Sequence, residues 1–527
     1  MKYFKLFGKF NFKKYLKSLD LNISFIVLFA LIAYLLKNTG IHSDEYLHIK
    51  TIGGKDLFNL FLPFGAYKNL VITYYTHFIW YHFMDFNSRM LPWVLKVFYG
   101  CLTLYMTNRF FTIFLNNHNA LIVSFLYLFY PSHDTAEYSF LCQYLPLTVS
   151  TYLYAYYLIY NERLKIGFVV SFIASFLSYA SPAIGFGLFI LFLLQKEYKK
   201  SMIIFMPEII YVIYYIKFMG GANYTSVKFD LFFIIKQFII QILSSIDAVI
   251  GPSLWLKIYY SFYQLSLVSI VIGVMLTVVY YYYMTIQDKF DKKLLLSMFV
   301  MVLTSFTMFS LASSNAINQN FYPQLAFGNG DRTTVYGSLL AAYIIALIPV
   351  SKKIQTLFFA IFIFSILGIS DHWKDWEKEK QIVITNIANN KDLKNYDDNR
   401  PIFFVGHNYS KFGRMSHIEF FAEGWIPEHI MGVIFHRVIN TFSIKNRYKY
   451  FDGYLIDQKN ERKIYAVDGY INVYDTDSNR LFRLYSNDIN NYIDSLPNDN
   501  RHWIQLIRNK YIDVLIEKLM PSLRYSF

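Results

Sequence analysis

The stretch NISFIVLFALIAYLL at residues 22–36, followed after a short break by Ile41-His42-Ser43-Asp44-Glu45-Tyr46-Leu47-His48, decides how this chain is read. Its first part is almost wholly apolar. Lys2, Lys5, Lys9, Lys13, Lys14 and Lys17 precede it with Asp20 as the only acid, so the positive-inside bias puts the N-terminus in the cytoplasm and residues 41–48 outside. Asp44-Glu45 then stands at the water–membrane boundary, where a carboxylate is readily hydrated and can act as a general base. The long basic region and the poor cleavage site in Asn38-Thr39-Gly40 mark a retained signal anchor.

Composition agrees. The chain has 527 residues, of which 55% are hydrophobic, 20% aromatic and only 16% charged, and its mean hydropathy is +0.30. That is too apolar for a soluble protein and indicates a multi-span, all-α membrane protein embedded in a lipid bilayer. The long apolar blocks do not alternate as barrel strands do. The net charge of +14 sits largely in short lysine clusters between apolar blocks, where topology explains it, and no basic helix with interleaved aromatics points to nucleic acid. Cys101 and Cys142 offer neither metal spacing nor a disulfide framework and read as small apolar fillers.

Apolar blocks near 21–38, 90–108, 119–131, 144–160, 165–179, 182–195, 201–217, 258–284, 294–312, 335–350 and 354–370 predict about eleven spans. Arg109, Arg163 with Lys165, the cluster at Lys196, Lys199 and Lys200, that at Lys289, Lys292 and Lys293, and Lys352 with Lys353 then all fall on the cytoplasmic side. Lys55 to Ser88 and Gly220 to Leu256, broken by charges, prolines and histidines, read as amphipathic helices lying in the outer interface. Beyond Ser370 the composition turns to Asp, Asn, Lys and Glu. Residues 371–527 are therefore expected to form a small α+β domain on the outer side, with a helix over 381–393, a strand over 401–406, a hairpin over 463–474 turning at Asp468-Gly469, and a helix over 503–519.

A cytoplasmic N-terminus, a first outer loop 39–89 opening with Asp44-Glu45-Tyr46-Leu47-His48, interfacial helices, a second span entered through Arg89-Met90-Leu91-Pro92, and an outer domain after the last span resemble the GT-C membrane glycosyltransferases. The resemblance covers residues 1–370. It is nearest to the bacterial relatives of protein O-mannosyltransferases and of the lipid A aminoarabinose transferase. It implies an enzyme of a bacterial cytoplasmic membrane that moves a sugar, with inversion, from a polyprenyl-phosphate-linked donor to a cell-envelope glycan, lipid or protein acceptor on the outer face, without a cofactor. It assigns to Asp44 the activation or positioning of the acceptor nucleophile. A basic residue entering a late span contacts the carrier phosphate in that family; Arg332, after Phe327-Gly328-Asn329-Gly330-Asp331, is the positional match, although the usual aromatic-proline neighbour is absent.

Chemistry supplies a reading for each remaining residue and a structural alternative beside it. Glu45 is either a second acid or a brace for its loop. Arg332 and Arg89 offer planar, permanently charged forks for phosphate, or snorkel to the headgroups. In the second outer loop Pro131-Ser132-His133-Asp134-Thr135-Ala136-Glu137-Tyr138 concentrates His133, Asp134 and Glu137, which suit sugar or acceptor hydroxyls better than a metal and otherwise belong to a hydrated loop. His48 either contacts substrate or bonds within the interface. Glu208, beside Pro207 in a span, is an intramembrane acid and so a functional candidate. Two rivals remain: a polysaccharide polymerase or ligase, whose outer chemistry would centre on arginine, and a lipid or glycan transporter, which would carry repeats and broken helices at mid-membrane.

Overall fold

The computed structural model describes residues 21–65, 67, 70–86, 88–178, 181–215, 217, 231–283, 289–312, 334–458, 461–507, 509–511 and 513–514. The N-terminal lysines, Asp331 and Arg332 lie outside the described residues.

The chain begins with α1 (Leu21–Leu36), turns through Gly40 at φ +66°, and enters α2 (Asp44–Gly53) with both acids in its first turn, where they favour the helix dipole. Short helical turns at Leu57–Leu60, Val71–Thr76 and Phe78–Phe83 complete the first outer loop. The bundle follows: α3 (Met90–Phe111), opened by Pro92 in its first turn; α4 (Asn117–Leu128), capped by the Asn116 side chain; the one-turn α5 (Asp134–Tyr138); α6 (Tyr144–Tyr160); α7 (Leu164–Ser175); α8 (Ser181–Leu194); and α9 (Tyr198–Tyr214). Then come α10 (Leu231–Val249), α11 (Pro252–Ser261), α12 (Leu267–Tyr283), α13 (Lys292–Ala312), α14 (Val335–Leu347) and α15 (Lys352–Asn389). Among the described residues, three helical runs are long and apolar enough to cross a membrane: α3, Ile234–Gln264 and α15. Shorter apolar helices include α1, α7, α8, α12 and α14.

Helix α10 shows which solvent these surfaces are built for. Leu231, Ile235, Ile239, Leu243 and Ile246 are exposed while Gln237, Gln241, Ser244, Ser245 and Asp247 are buried against α13 and α14. That is the reverse of a helix in water, and it places hydrocarbon outside and hydrogen-bonding groups inside. The same segment was expected to lie flat in the interface. Its charges do not decide the matter, because the acid that interrupts the described helix, Asp247, is turned inward and accepts from Ser253 and Trp503.

Two further expectations are corrected by the packing. The span expected over 258–284 is two helices, because the chain leaves helical geometry at Leu265 and the Ser266 N–H donates to Asp371 at 2.9 Å. The break expected near residue 370 is absent: α15 runs for 38 residues, about 57 Å at 1.5 Å per residue, far beyond the ~30 Å of a hydrocarbon core. Its apolar stripe continues past the composition change through Trp373, Trp376, Val383, Ile384 and Ile387, all buried. Gly368 is required there, since a Cβ would lie 2.0 Å from the Ser261 carbonyl oxygen.

The C-terminal half of α15 leads into a four-stranded sheet of order β4-β1-β8-β9. Strand β1 (Ile402–Val405) runs parallel to both β4 (Thr441–Ser443) and β8 (Tyr470–Asp475), and β9 (Arg480–Tyr485) closes the edge antiparallel to β8. Sequence Ile402-Phe403-Phe404-Val405 is buried on both faces, which is why it reads as a continuous apolar run. The hairpin β2 (Tyr409–Phe412) and β3 (Met415–Glu419) reaches down to α11, where Gly413 lies against the Tyr260 ring. A meander of β5 (Tyr448–Phe451), β6 (Tyr454–Asp457) and β7 (Arg462–Ala466), and helix α16 (Trp425–Phe435), complete the unit. The hairpin expected at Asp468-Gly469 does not form: β7 pairs with β6 while β8 pairs with β1, so that turn joins two sheets. The helix expected from Trp503 is a 3-10 turn over Trp503–Leu506, and much of the rest falls outside the described residues.

Candidate functional site

The segment between α1 and α3, the first loop, is held by a buried, charge-compensated cluster. Glu45 is fully buried; its Oε2 accepts from the His42 N–H at 2.8 Å and its Oε1 from the Ser139 hydroxyl at 2.9 Å and the Leu141 N–H at 2.8 Å. One carboxylate thus ties the first outer loop to the second. Lys96, from α3, donates to Thr39 Oγ1 at 3.0 Å and to the Gly40 carbonyl. Lys380, from α15, donates to the Ile41 carbonyl and to His42 Nδ1 at 2.9 Å, and lies 2.7 Å from Glu377. Two lysines and two glutamates cancel, as buried charges must. Burial and the facing lysines hold the His42 imidazole well below its ordinary pKa, so its neutral Nδ1 accepts the hydrogen bond that Lys380 donates. Any side chain at Gly40 would overlap the Glu377 carboxyl group.

Asp44 stands one residue before this brace and differs from it. It is half-buried at the start of α2, close enough to Tyr81 and to Glu419 at the end of β3 for their charges to interact. Burial, with repulsion from Glu423 and a smaller push from Asp44, raises the Glu419 carboxyl to about 7, against the pull of Arg501 and Lys445. Glu419, whose buried carboxyl holds its proton more tightly than a free carboxylate, thus lies within electrostatic reach of Asp44. His48 lies on the next turn of α2, its Nδ1 2.7 Å from the Tyr67 hydroxyl and its ring packed on Phe78 and Tyr81. Burial brings it down to about 4 and keeps it neutral.

The second loop is closed. Asp134 Oδ1 accepts from Lys257 at 2.7 Å; its Oδ2 accepts from the Trp373 indole N–H at 2.9 Å and lies 3.0 Å from His417 Nε2. Burial opposes ionisation, but Lys257 and His417 outweigh it and hold the carboxyl below its usual range. Those partners come from α11, α15 and β3, so this acid, expected to meet substrate hydroxyls in an open loop, joins the loop to α11, α15 and the outer domain instead. His133 is buried, 3.3 Å from the Leu128 carbonyl, and burial lowers it to about 4. Glu137 is buried, and burial raises it well above the carboxylate range against the opposing effect of Gln143, so it stays protonated. In α9, Glu208 is buried against Gly185 and 3.4 Å from the Ser181 hydroxyl, tucked between helices.

Arg89 is exposed immediately before α3 and lines a cleft of about 320 Å³ with Lys378, Gln381, Ile382, Thr385 and Asn386. Exposed Met90 and Ile382 flank these two cations. Lys378 pairs with Asp375 at 2.8 Å, so Arg89 is the cation that this cleft offers to an anionic group beside an apolar surface. Arg332 lies outside the described residues.

Sequence reasoning missed Lys96, Lys257, Glu377, Lys380 and His417, which together determine which acids are occupied. A signal existed for two of them: Lys96 and Lys257 are lone cations inside apolar helices, where a charge is costly and implies a partner. Nothing local marks His417. Comparison with models of protein families, with curated proteins and with solved structures finds no match.

Proposed function

We propose that this protein is a GT-C-like glycosyltransferase that moves a sugar from a polyprenyl-phosphate-linked donor to a cell-envelope glycan, lipid or protein acceptor. In this reading it sits in a bacterial cytoplasmic membrane with about eleven spans, its N-terminus inside and its outer domain beyond α15 outside. The observation that carries the proposal is the division of labour in Asp44-Glu45: Glu45 is consumed in fixing the loop, while its neighbour Asp44 stays part-exposed on a rigid support. A base that must meet an acceptor hydroxyl within hydrogen-bond reach benefits from such support.

Asp44 takes the acceptor proton as the hydroxyl oxygen attacks the anomeric carbon. The bond to the carrier phosphate breaks, and the phosphate leaves with its negative charge. Arg89, beside Met90 and Ile382, suits that phosphate and the start of its lipid chain. Arg332 keeps the carrier-phosphate role implied by the resemblance. The test is transfer of labelled sugar from synthetic polyprenyl-phosphate donors by the protein in nanodiscs. Asp44→Asn abolishes transfer while the protein remains folded; a variant with near-normal transfer removes Asp44 from the mechanism, and absence of transfer from every donor by the native chain removes the proposal.

A further inference from the structure

The outer domain contains a cleft of about 650 Å³ that does not include Asp44. It opens where β1, β4 and β8 end, between Val405-Gly406-His407, Ile444 and Asp475 to Asp477. Strand β1 is the middle of the parallel trio: the chain leaves it to form β4 on one side and returns to form β8 on the other. A crevice at the carboxyl ends of strands, where connections diverge, is the place that open parallel sheets offer a ligand. Its volume is within the roughly 300–1,000 Å³ of small-molecule sites. The turn after β1 is shaped for it: Gly406 has φ +83°, and a Cβ there would lie 2.6 Å from Thr476 Oγ1 and 2.8 Å from an Asp477 oxygen.

The lining specifies the chemistry. Five acids line it, Asp375, Glu379, Asp475, Asp477 and Asp499, with Lys411 the one lysine of the lining; Lys411 pairs with Asp499 at 2.9 Å and Lys378, from outside the lining, with Asp375 at 2.8 Å, which leaves the wall acidic. Asp477 is held ionised by His407, 2.8 Å away. A phosphate or other anion is repelled here, which separates this cleft from the Arg89 cleft. Asn408 and Asn446 add amide groups, and Trp376, Tyr409 and Tyr492 bring aromatic rings to the wall. Trp376 is 4% exposed, and its indole N–H has no hydrogen-bond partner among the described residues. Carboxylates and amides accept from and donate to vicinal hydroxyls, aromatic faces pack on the C–H faces of pyranose rings, and a negative field attracts ammonium groups.

We propose that this cleft binds a saccharide segment bearing free amino groups, independently of any transfer at Asp44. Independence follows from α15, which separates the two places. His372, Asp375, Trp376 and Glu379 form the stripe that faces the cleft, whereas Trp373, Glu377 and Lys380 form a neighbouring stripe that faces the first outer loop, turned by about 100°.

The test uses the full chain in nanodiscs, with glucosamine trisaccharide as probe and titration calorimetry as readout. The expected result is saturable binding that weakens as salt rises, at least about tenfold tighter than for the N-acetylated trisaccharide, with no binding of a galacturonate trisaccharide. Asp375→Asn with Glu379→Gln, both exposed on α15 and therefore harmless to folding, weakens it about tenfold or more. Tyr492→Ala weakens both neutral and amino-bearing sugars. Asp44→Asn leaves binding unchanged, so failure of the cleft and failure of the transferase reading are distinguishable. The proposal is overturned by absence of saturable binding, by binding insensitive to the double variant, by preference for the acidic sugar, or by trilysine binding as tightly as the trisaccharide.

Discussion

The two acidic outer loops carry similar residues and meet opposite fates. In the second, Asp134 has both oxygens occupied by Lys257, Trp373 and His417. In the first, Glu45 is occupied in the same manner by loop-to-loop hydrogen bonds, yet Asp44 beside it stays part-exposed. The lesson concerns neighbours. An acid in a loop becomes structural when donors from elsewhere in the chain reach it: Ser139 and Leu141 reach Glu45, and Lys257 reaches Asp134, in each case from about a hundred residues away.

The comparison is most directly broken at Asp44 and Asp134. Asp44→Asn is expected to lower transfer by about 10²- to 10⁴-fold, the usual weight of a general base, with the thermal midpoint unchanged. Lys257→Ala, which strands the buried Asp134 charge, is expected to lower stability by about 3–5 kcal/mol while transfer per folded molecule persists; differential scanning fluorimetry alongside the transfer assay separates the two. If instead Lys257→Ala leaves the midpoint in place, the second loop is not the joint described here. A milder effect is expected at the brace: Glu45→Gln keeps shape but loses charge-assisted bonds, at about 1–3 kcal/mol, again read as a midpoint shift.

Smaller effects sharpen the picture. Arg89→Ala is expected to raise the KM for donor several-fold, with Arg89→Lys between it and wild type because charge remains but the fork is lost. The last expectation is a pH dependence. Burial pushes the Glu419 carboxyl up to about 7 from its ordinary value of 4.5, so the folded state retains a proton that an unfolded chain releases between those values. Stability from this group is therefore full below about 4.5 and declines as pH rises through 7. Glu419→Gln should flatten the midpoint-versus-pH curve across that window; an unchanged slope would show that the Asp44–Glu419 meeting is solvated like any surface pair.

Much of the helical organisation was legible locally. The segments 144–160, 182–195 and 335–350 coincide closely with α6, α8 and α14, because apolar blocks bounded by charges or turn residues leave the backbone few alternatives. Strand β1 was legible for the same reason. The continuation of α15 through residue 370 was not, since its outer half mixes charges with a buried stripe whose partners lie in the outer domain and first loop. Nor was the Asp468-Gly469 turn, which fits a hairpin by itself but connects two sheets once β1 claims β8.

Composition and hydropathy alone are enough to show where apolar blocks become helices whose surfaces suit hydrocarbon. Packing of the whole chain settles which acids are fully buried and bound to remote partners. Glu45, Asp134 and Asp44 are alike as letters. Their partners, Ser139, Leu141, Lys257, Trp373 and His417, are remote in the chain and converge only through packing of α11, α15 and β3. Burial makes a hydrogen bond or a compensating charge obligatory, and that requirement, satisfied across long sequence separations, distinguishes a brace from a base.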